Sequence, residues 1–176
     1  MHLLAFFLLL PLADGFDFPV GTPDAGGYYD AQHFGGRNAH LGSDWNGTQG
    51  GDSDLGDPVV AVAAGRVTVA EDFGGGWGNV VRVAHRVREP DGREHVVESL
   101  YAHLGTVEVS VGATVARGKR LGTIGTAGGV YVAHLHLELR DQPGRPLGAG
   151  YGRPDGQIDP TAFIQAHRSH AGAVAH

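Results

Sequence analysis

Two histidines separated by one leucine are the part of this sequence best suited to metal chemistry. They lie in residues 133–140, AHLHLELR, where apolar and polar side chains alternate with period two. A β-strand with this alternation would place its leucines on one face and His134, His136, Glu138 and Arg140 on the other. Two imidazoles on one strand face can share a metal, or one can bind the metal while the other acts on the substrate. A solvent-exposed strand edge can carry the same short motif, so the rest of the chain must decide.

A second candidate pair is His40 and Asp44, within NAHLGSDWNG. A spacing of four residues would place both side chains on one face of a helix, but the glycines, serine and asparagine around them disfavour a helix. We expect a loop or short strand that can still fold both side chains around one ion. Taken alone, the pair is equally consistent with ordinary turn chemistry.

Composition restricts the possible chemistry. The chain has 176 residues, which fits one domain, and it has no cysteine but 11 histidines. Any metal must therefore be held by His, Asp or Glu. The net charge is −6 with only 13 Lys and Arg residues, which argues against nucleic acid as a partner.

The distribution of glycine predicts a mainly β fold. Thirty glycines and nine prolines are spread along the chain, as expected for short strands joined by tight turns in a small barrel or sandwich. The clearest predicted strands are 59–63, 66–71, 79–85 and 96–103, followed by shorter ones at 107–113, 114–119 and 120–125. A short helix is predicted over 158–164. The glycine cluster at 74–78 is not a phosphate-binding loop, because no Gly-Lys-Ser/Thr and no helix follow it.

The expected domain organisation has four parts. Residues 1–13 begin with an apolar run too short to span a bilayer, which predicts a signal peptide and export to the periplasm, cell envelope or medium. A misassigned start codon or an N-terminal strand that packs on the domain would give the same pattern. We expect 14–38 to be a loop wrapped over the domain, 39–165 to be the functional domain, and 166–176 to be a disordered tail.

Three motifs follow one another in a fixed order: His40-x-x-x-Asp44, Tyr101-Ala102-His103-Leu104 and His134-Leu135-His136. Glycine-spaced strand segments lie between them. Together they resemble the lysostaphin-type (LytM-like) zinc endopeptidases, which cut peptide bonds in bacterial peptidoglycan. The resemblance covers about 39–165 and implies a compact antiparallel β barrel-sandwich domain with a groove that holds the metal.

Carried over position by position, the resemblance implies that His40, Asp44 and His136 bind one zinc ion per chain. It also implies that His103 and His134 are catalytic histidines that do not bind the metal. Three protein ligands leave a fourth position open for water, as in catalytic rather than structural zinc sites. No His-Glu-x-x-His helix is present, and histidines that titrate near neutrality can replace its glutamate. The implied substrate is the peptide part of peptidoglycan, and we expect a monomer.

Three features leave alternatives open. Glu138 could orient a ligand imidazole or be a surface residue at the end of a strand. The polar hairpin 86–98 is longer than the short link usual in the family, and we predict that it lines the groove and tunes substrate choice. Ala133 and Leu137 replace residues that are more usual in the family, which again concerns substrate choice.

Two other functions compete with the endopeptidase. A non-catalytic member that binds the wall or activates another hydrolase would be expected to have lost metal ligands, and this chain has all of them. A biotinyl- or lipoyl-type carrier domain would need a modifiable lysine on an exposed turn. Lys119 is the only lysine, and it lacks the flanking methionine or acidic residues expected there.

Overall fold

A computed structural model describes residues 10–168 as a largely antiparallel β structure. Within these residues the strands and the α-helix are β1 (Tyr28–Gln32), β2 (Ser43–Gly47), β3 (Pro58–Val60), β4 (Gly65–Asp72), β5 (Asn79–Arg88), β6 (Glu94–Val107), β7 (Thr114–Val115), β8 (Arg120–Ile124), β9 (Leu135–Arg140), β10 (Gln157–Ile158) and α1 (Pro160–Ala166). The predicted mainly β, antiparallel fold is confirmed.

The sheet follows the order β1-β2-β9-β6-β5-β4-β7, and β10 extends it beside β9. Strand β8 pairs with β6 and with β3, and every pairing between these strands is antiparallel. The sheet does not close on itself. Strand β9 therefore lies between β2 and β6, so side chains from these three strands can meet on one face.

The alternation of β9 sorts its side chains as the sequence predicts. Leu135, Leu137 and Leu139 are fully buried in the main apolar core, together with valines of β5 and Tyr101 of β6. Burial of each leucine contributes roughly 1.5–3 kcal/mol relative to exposure. The opposite face of β9 carries polar side chains, and the apolar pairing of the first face fixes their register.

Several predicted elements differ from the structure. The predicted strands at 107–113 and 114–119 reduce to the end of β6 and the two residues of β7, because Gly112 and Gly118 adopt positive φ angles of 85° and 75° that turn the chain. Residues 14–38, expected to be a wrapping loop, contain strand β1 and place Phe16 and Phe18 in the apolar core. The predicted terminal helix is present as α1.

The predicted signal peptide and disordered tail lie largely outside the described residues, at 1–9 and 169–176. Of the described part, Leu10 is buried, and the Ala13 amide donates to the Arg86 carbonyl (2.8 Å). Across 10–168, no helix has the length and apolarity needed to cross a membrane.

One buried polar network lies inside the core. His85 donates from Nδ1 to the Ala64 carbonyl (3.0 Å) and accepts at Nε2 from the Ser99 hydroxyl (2.7 Å). The Tyr101 hydroxyl lies 3.0 Å from Ser99 Oγ and accepts from the Val62 amide. Burial lowers the pKa of His85 to about 4, so this imidazole is neutral and structural.

Candidate metal centre

Three neighbouring strands bring the candidate ligands together. In the sheet register, Asp44 of β2 lies opposite His136 of β9, and Ala102 of β6 lies opposite His136 from the other side. His40 precedes β2, where its backbone forms a bridge with Tyr151. The loop or short strand expected for His40 and Asp44 is therefore a loop that enters a strand.

The donor atoms of His40, Asp44 and His136 form a tight triangle. His136 Nδ1 lies 2.8 Å from Asp44 Oδ1 and 3.1 Å from His40 Nε2, and His40 Nε2 lies 3.3 Å from Asp44 Oδ1. Tetrahedral zinc with bonds of about 2.0–2.1 Å would separate its ligand atoms by about 3.3 Å. Among residues 10–168, this is the one group of three or more such side chains spaced to hold a metal ion.

The outer hydrogen bonds fix which imidazole nitrogens face the centre of this triangle. His40 Nδ1 lies 2.9 Å from the Gln32 carbonyl, which can only accept, so the proton of neutral His40 is on Nδ1. His136 Nε2 lies 3.2 Å from Glu138 Oε1, which places its proton on Nε2. When both imidazoles are neutral, two nitrogen lone pairs and a carboxylate oxygen therefore face one another, and a cation between them, either a proton or a metal ion, is needed to stabilise the arrangement.

The pKa values of His136 and Asp44 also indicate that this site favours a positive charge. Burial alone would lower the pKa of His136, but the adjoining carboxylates of Asp44 and Glu138 outweigh it and raise this pKa to about 9. Burial likewise opposes ionisation of Asp44, yet hydrogen bonds with His136 and His40 hold its pKa well below the usual range. The site attracts a positive charge, and the donor set of two imidazoles and a carboxylate fits Zn²⁺.

The two other predicted histidines lie beside the triangle. The rings of His103 and His134 are 4.7 Å apart, and His134 Nε2 lies 3.8 Å from Asp44 Oδ1. His134 donates from Nδ1 to the Val132 carbonyl (2.8 Å), and His103 makes a weaker contact from Nδ1 to the Trp77 carbonyl (3.3 Å). In these tautomers each ring has its Nε2 lone pair free.

His103 has two further unusual features. Its φ of 63° is a strained value for a residue with a side chain, and such strain is concentrated at functional sites. Burial and the neighbouring His136 and His134 lower the pKa of His103 to about 3, which keeps the imidazole neutral. All five predicted residues thus come together, and their individual roles remain a prediction.

These histidines line a cavity of about 230 Å³ whose walls include aromatic side chains that sequence reasoning missed. Trp77 comes from the glycine-rich turn, Tyr131 precedes His134 by three residues, and Tyr151 follows β9. Tyr131 lies 4.9 Å from the His103 ring, and Tyr151 lies 5.3 Å from the His40 ring, between centroids. Tyr131 and Tyr151 remain more than two-fifths exposed, so their aromatic faces are available to a ligand.

The structure decides between the two interpretations of Glu138. Its side chain is fully buried, and each carboxylate oxygen has its own partner. Oε1 accepts from His136, and Oε2 accepts from Arg140 Nε and Nη2 at 2.9 and 2.7 Å. Glu138 therefore orients a candidate metal ligand and is not a surface residue.

The prediction that the hairpin 86–98 lines the groove is wrong. Its tip joins β5 to β6 at the pair Arg88 and Glu94, whereas His103 lies near the other end of β6. From residue 94 to residue 103, an extended strand covers about 30 Å, at about 3.3 Å per residue. No residue of 86–98 lines the cavity. The length of the hairpin was visible in the sequence, but which end of the strand pair faces the groove was not.

The fold and the site together define a class of protein, the antiparallel β domain with a candidate metal centre in an open groove. Within that class, the chain belongs to peptidase family M23, whose sequence profile matches residues 39–148. The resemblance to the lysostaphin-type enzymes is thereby confirmed at the level of the family.

Two individual proteins are similar to this chain in sequence. The cell division protein DipM of Caulobacter vibrioides is 36% identical over 88 residues, which are 50% of this chain and 13% of DipM. An uncharacterized metalloprotease of Haemophilus influenzae is 34% identical over 100 residues, which are 57% of this chain and 18% of that protein. This chain therefore spans less than a fifth of either relative.

Solved structures share the fold. Lysostaphin from Staphylococcus simulans superposes with a TM-score of 0.59 at 23% identity, over 85% of this chain and 54% of lysostaphin. A point mutant of the catalytic domain of the prophage-encoded M23 protein EnpA, from Enterococcus faecalis, gives 0.57 at 20% identity, over 83% of this chain and 95% of that domain.

Proposed function

We propose that this protein is a zinc metalloendopeptidase that hydrolyses peptide bonds in bacterial peptidoglycan. The observation that carries the proposal is the convergence of His40 Nε2, His136 Nδ1 and Asp44 Oδ1, which lie within 3.3 Å of one another. Membership of a peptidase family supports the reaction type, and the name of one structural neighbour, the antimicrobial peptidase lysostaphin, supports the substrate.

The three ligands would hold the zinc, and Gln32 and Glu138 keep the two ligand imidazoles in the tautomers that binding requires. Bound zinc would supply Lewis acidity, which lowers the pKa of a water to about 7 and polarises a carbonyl. His103 and His134 would carry out the remaining steps, which are proton transfer and stabilisation of the oxyanion.

These two histidines divide the proton transfers. The low pKa of His103 keeps its Nε2 lone pair unprotonated before the reaction, but it also makes His103 a weaker base than the histidine titrating near neutrality that the sequence led us to expect. We assign to one of the pair the proton of the attacking water, which it returns to the leaving amine. The other, when protonated at Nε2, donates a hydrogen bond to the developing oxyanion. Both rings are already held by backbone carbonyls, which limits the reorganisation needed during the reaction.

The test measures zinc content and the release of muropeptides on the same preparations. Zinc-loaded wild-type protein should release new peptide termini, detected by mass spectrometry, and a chelator should stop the reaction. His136→Ala should lose both zinc and activity. His134→Ala and His103→Ala should keep zinc while kcat falls by about 10²–10⁴-fold.

Two results would contradict the proposal. A zinc-loaded wild-type protein that releases nothing from several wall types would favour the non-catalytic, wall-binding or hydrolase-activating alternative. A His134→Ala protein that is free of metal, or is loaded and nearly as fast as wild type, would overturn the assignment of roles.

The proposed substrate also implies export, to the periplasm, cell envelope or medium. The relative named lipoprotein NlpD, from Yersinia enterocolitica, is 33% identical over 85 residues and supports an envelope location. Fractionation of cells that produce the full chain, with the mass of the mature protein, tests both export and cleavage near residue 13. Retention of the intact chain in the cytoplasm would contradict the proposed export.

A further inference from the structure

Arg140 is fully buried on the face of β9 that carries the candidate metal ligand. Its guanidinium group donates to Glu138 Oε2 from Nε and Nη2. The same group donates to the carbonyls of Pro146 (2.9 Å) and Leu147 (2.8 Å), with a longer contact to that of Arg145 (3.3 Å). One side chain therefore holds a carboxylate on one side and an irregular backbone segment on the other.

The carboxylate side leads directly to the candidate metal centre. Glu138 uses its second oxygen, Oε1, to accept from His136 Nε2, the nitrogen opposite the one that faces the other ligands. With both oxygens engaged by different partners, the carboxylate plane cannot rotate without breaking a bond. The direction of His136 Nδ1 thus depends on the position of Arg140.

The backbone side leads to the wall of the groove. We call residues 145–151 the wall segment; its last three residues line the cavity beside the histidines. Beyond Arg140, Trp77 Nε1 donates to the Gly148 carbonyl (3.3 Å), and the Leu41 amide donates to the Gly150 carbonyl (2.9 Å). Tyr151 then forms the backbone bridge to His40. The wall segment is fixed at one end by Arg140 and at the other end beside a second candidate ligand.

We propose that Arg140 is a positioning residue that sets His136 and the wall segment relative to each other. The inference rests on the proposed function, since it takes His136 to be a zinc ligand. The planar guanidinium fork is required, because it donates in several fixed directions at once, whereas a lysine ammonium group cannot reach the carboxylate and both carbonyls in the same geometry. Partners that orient a metal-binding histidine typically change metal affinity about 10–100-fold when altered.

Neighbouring Arg82 of β5 provides a matched control. It is also buried, and its Nη1 donates to the carbonyl of Arg145 in the same wall segment (2.8 Å). Its ion pair is with Glu98 (3.7 Å), and it makes no hydrogen bond to Glu138. Arg82→Lys therefore disturbs the wall segment at the Arg145 carbonyl, which Arg140 also contacts, but it leaves the hydrogen bonds from Arg140 to Glu138 and from His136 to Glu138 in place.

The experiment compares wild type, Arg140→Lys and Arg82→Lys by zinc affinity, from competition with a chelator, and by hydrogen exchange of amides in the wall segment. Neither readout requires hydrolysis. We expect Arg140→Lys to bind zinc about 10–100-fold more weakly and to exchange faster in the wall segment. Arg82→Lys should exchange faster near residue 145 while its zinc affinity stays within about twofold of wild type. The visible spectrum of the Co²⁺-substituted protein should change in Arg140→Lys and not in Arg82→Lys.

If Arg140→Lys does not fold, Glu138→Gln carries the test. Its amide replaces one acceptor oxygen by an NH2 donor, so the donor of either His136 or Arg140 would face another donor, and zinc affinity should fall in the same range. Wild-type zinc affinity in either folded variant would overturn the inference, and so would equal losses in Arg140→Lys and Arg82→Lys. A wild-type protein that binds zinc but does not hydrolyse peptidoglycan would contradict the proposed function and leave this comparison valid.

Discussion

Removing the metal should make the stability of this protein fall as the pH rises from 7 to 9. In the metal-free protein, burial of His136 is outweighed by the carboxylates of Asp44 and Glu138, which raise its pKa to about 9. The corresponding value in an unfolded chain is about 6.5. A histidine with a higher pKa in the folded state stabilises that state while it holds its proton there. This contribution is complete below about pH 6.5 and is lost as the pH rises through about 9.

The magnitude follows from the two pKa values. The two pKa values, about 9 folded and about 6.5 unfolded, correspond to about 3 kcal/mol in total, of which about 2 kcal/mol is lost between pH 7 and pH 9. With a urea m value of about 2 kcal/mol/M, the midpoint of unfolding should fall by about 1 M. The zinc-loaded protein should not show this loss, because the metal replaces the proton and binds more tightly as the pH rises.

The assay is urea unfolding, followed by tryptophan fluorescence, with chelator at both pH values. The control is His136→Gln treated in the same way, which should lack most of the decrease. Chelated wild-type protein with equal stability at both pH values, or an equal decrease in His136→Gln, would refute the argument that the three ligand atoms require a cation between them.

Three other changes have defined outcomes. Between pH 7 and pH 5, the free energy of unfolding of wild type in urea should fall by about 2 kcal/mol more than that of His85→Gln. The reason is that histidine in the unfolded chain has a pKa of about 6.5, whereas buried His85 has a pKa of about 4. Equal losses would contradict the neutral, structural role of His85. Gly42→Ala should weaken zinc binding in calorimetric titration, since its Cβ would overlap the Leu137 carbonyl of β9 and lie 2.9 Å from His136 Cε1, which displaces the strand that carries His136. Gly26→Ala, with no atom nearer than 3.7 Å, should bind as wild type does. Shortening the hairpin within 89–93 should leave the pattern of released muropeptides unchanged, and a changed pattern would restore a substrate role for the hairpin.

The sequence by itself determined the two faces of β9. In a strand that covers a core, strict alternation of leucine with polar residues is stable only when the leucines face the core. The position of His136 on the polar face was therefore predictable. The ordered motifs also indicated the family. Bringing His40, Asp44 and His103 to the same point depended on that resemblance, because loop conformation and strand order are not readable from local patterns.

Tertiary structure alone decided the surroundings of these residues. Glu138 and Arg140 looked like the polar end of a strand, and they are buried because the wall segment folds over them and accepts hydrogen bonds from Arg140. Trp77 and Tyr151 come from irregular segments far apart in the chain, and no periodicity marks them as neighbours. The position of the hairpin 86–98 was predicted wrongly for a related reason. The polar residues of a hairpin show that its tip is exposed. The distance of this tip from the groove, however, is set by the length of β6 and by the end of that strand at which His103 lies.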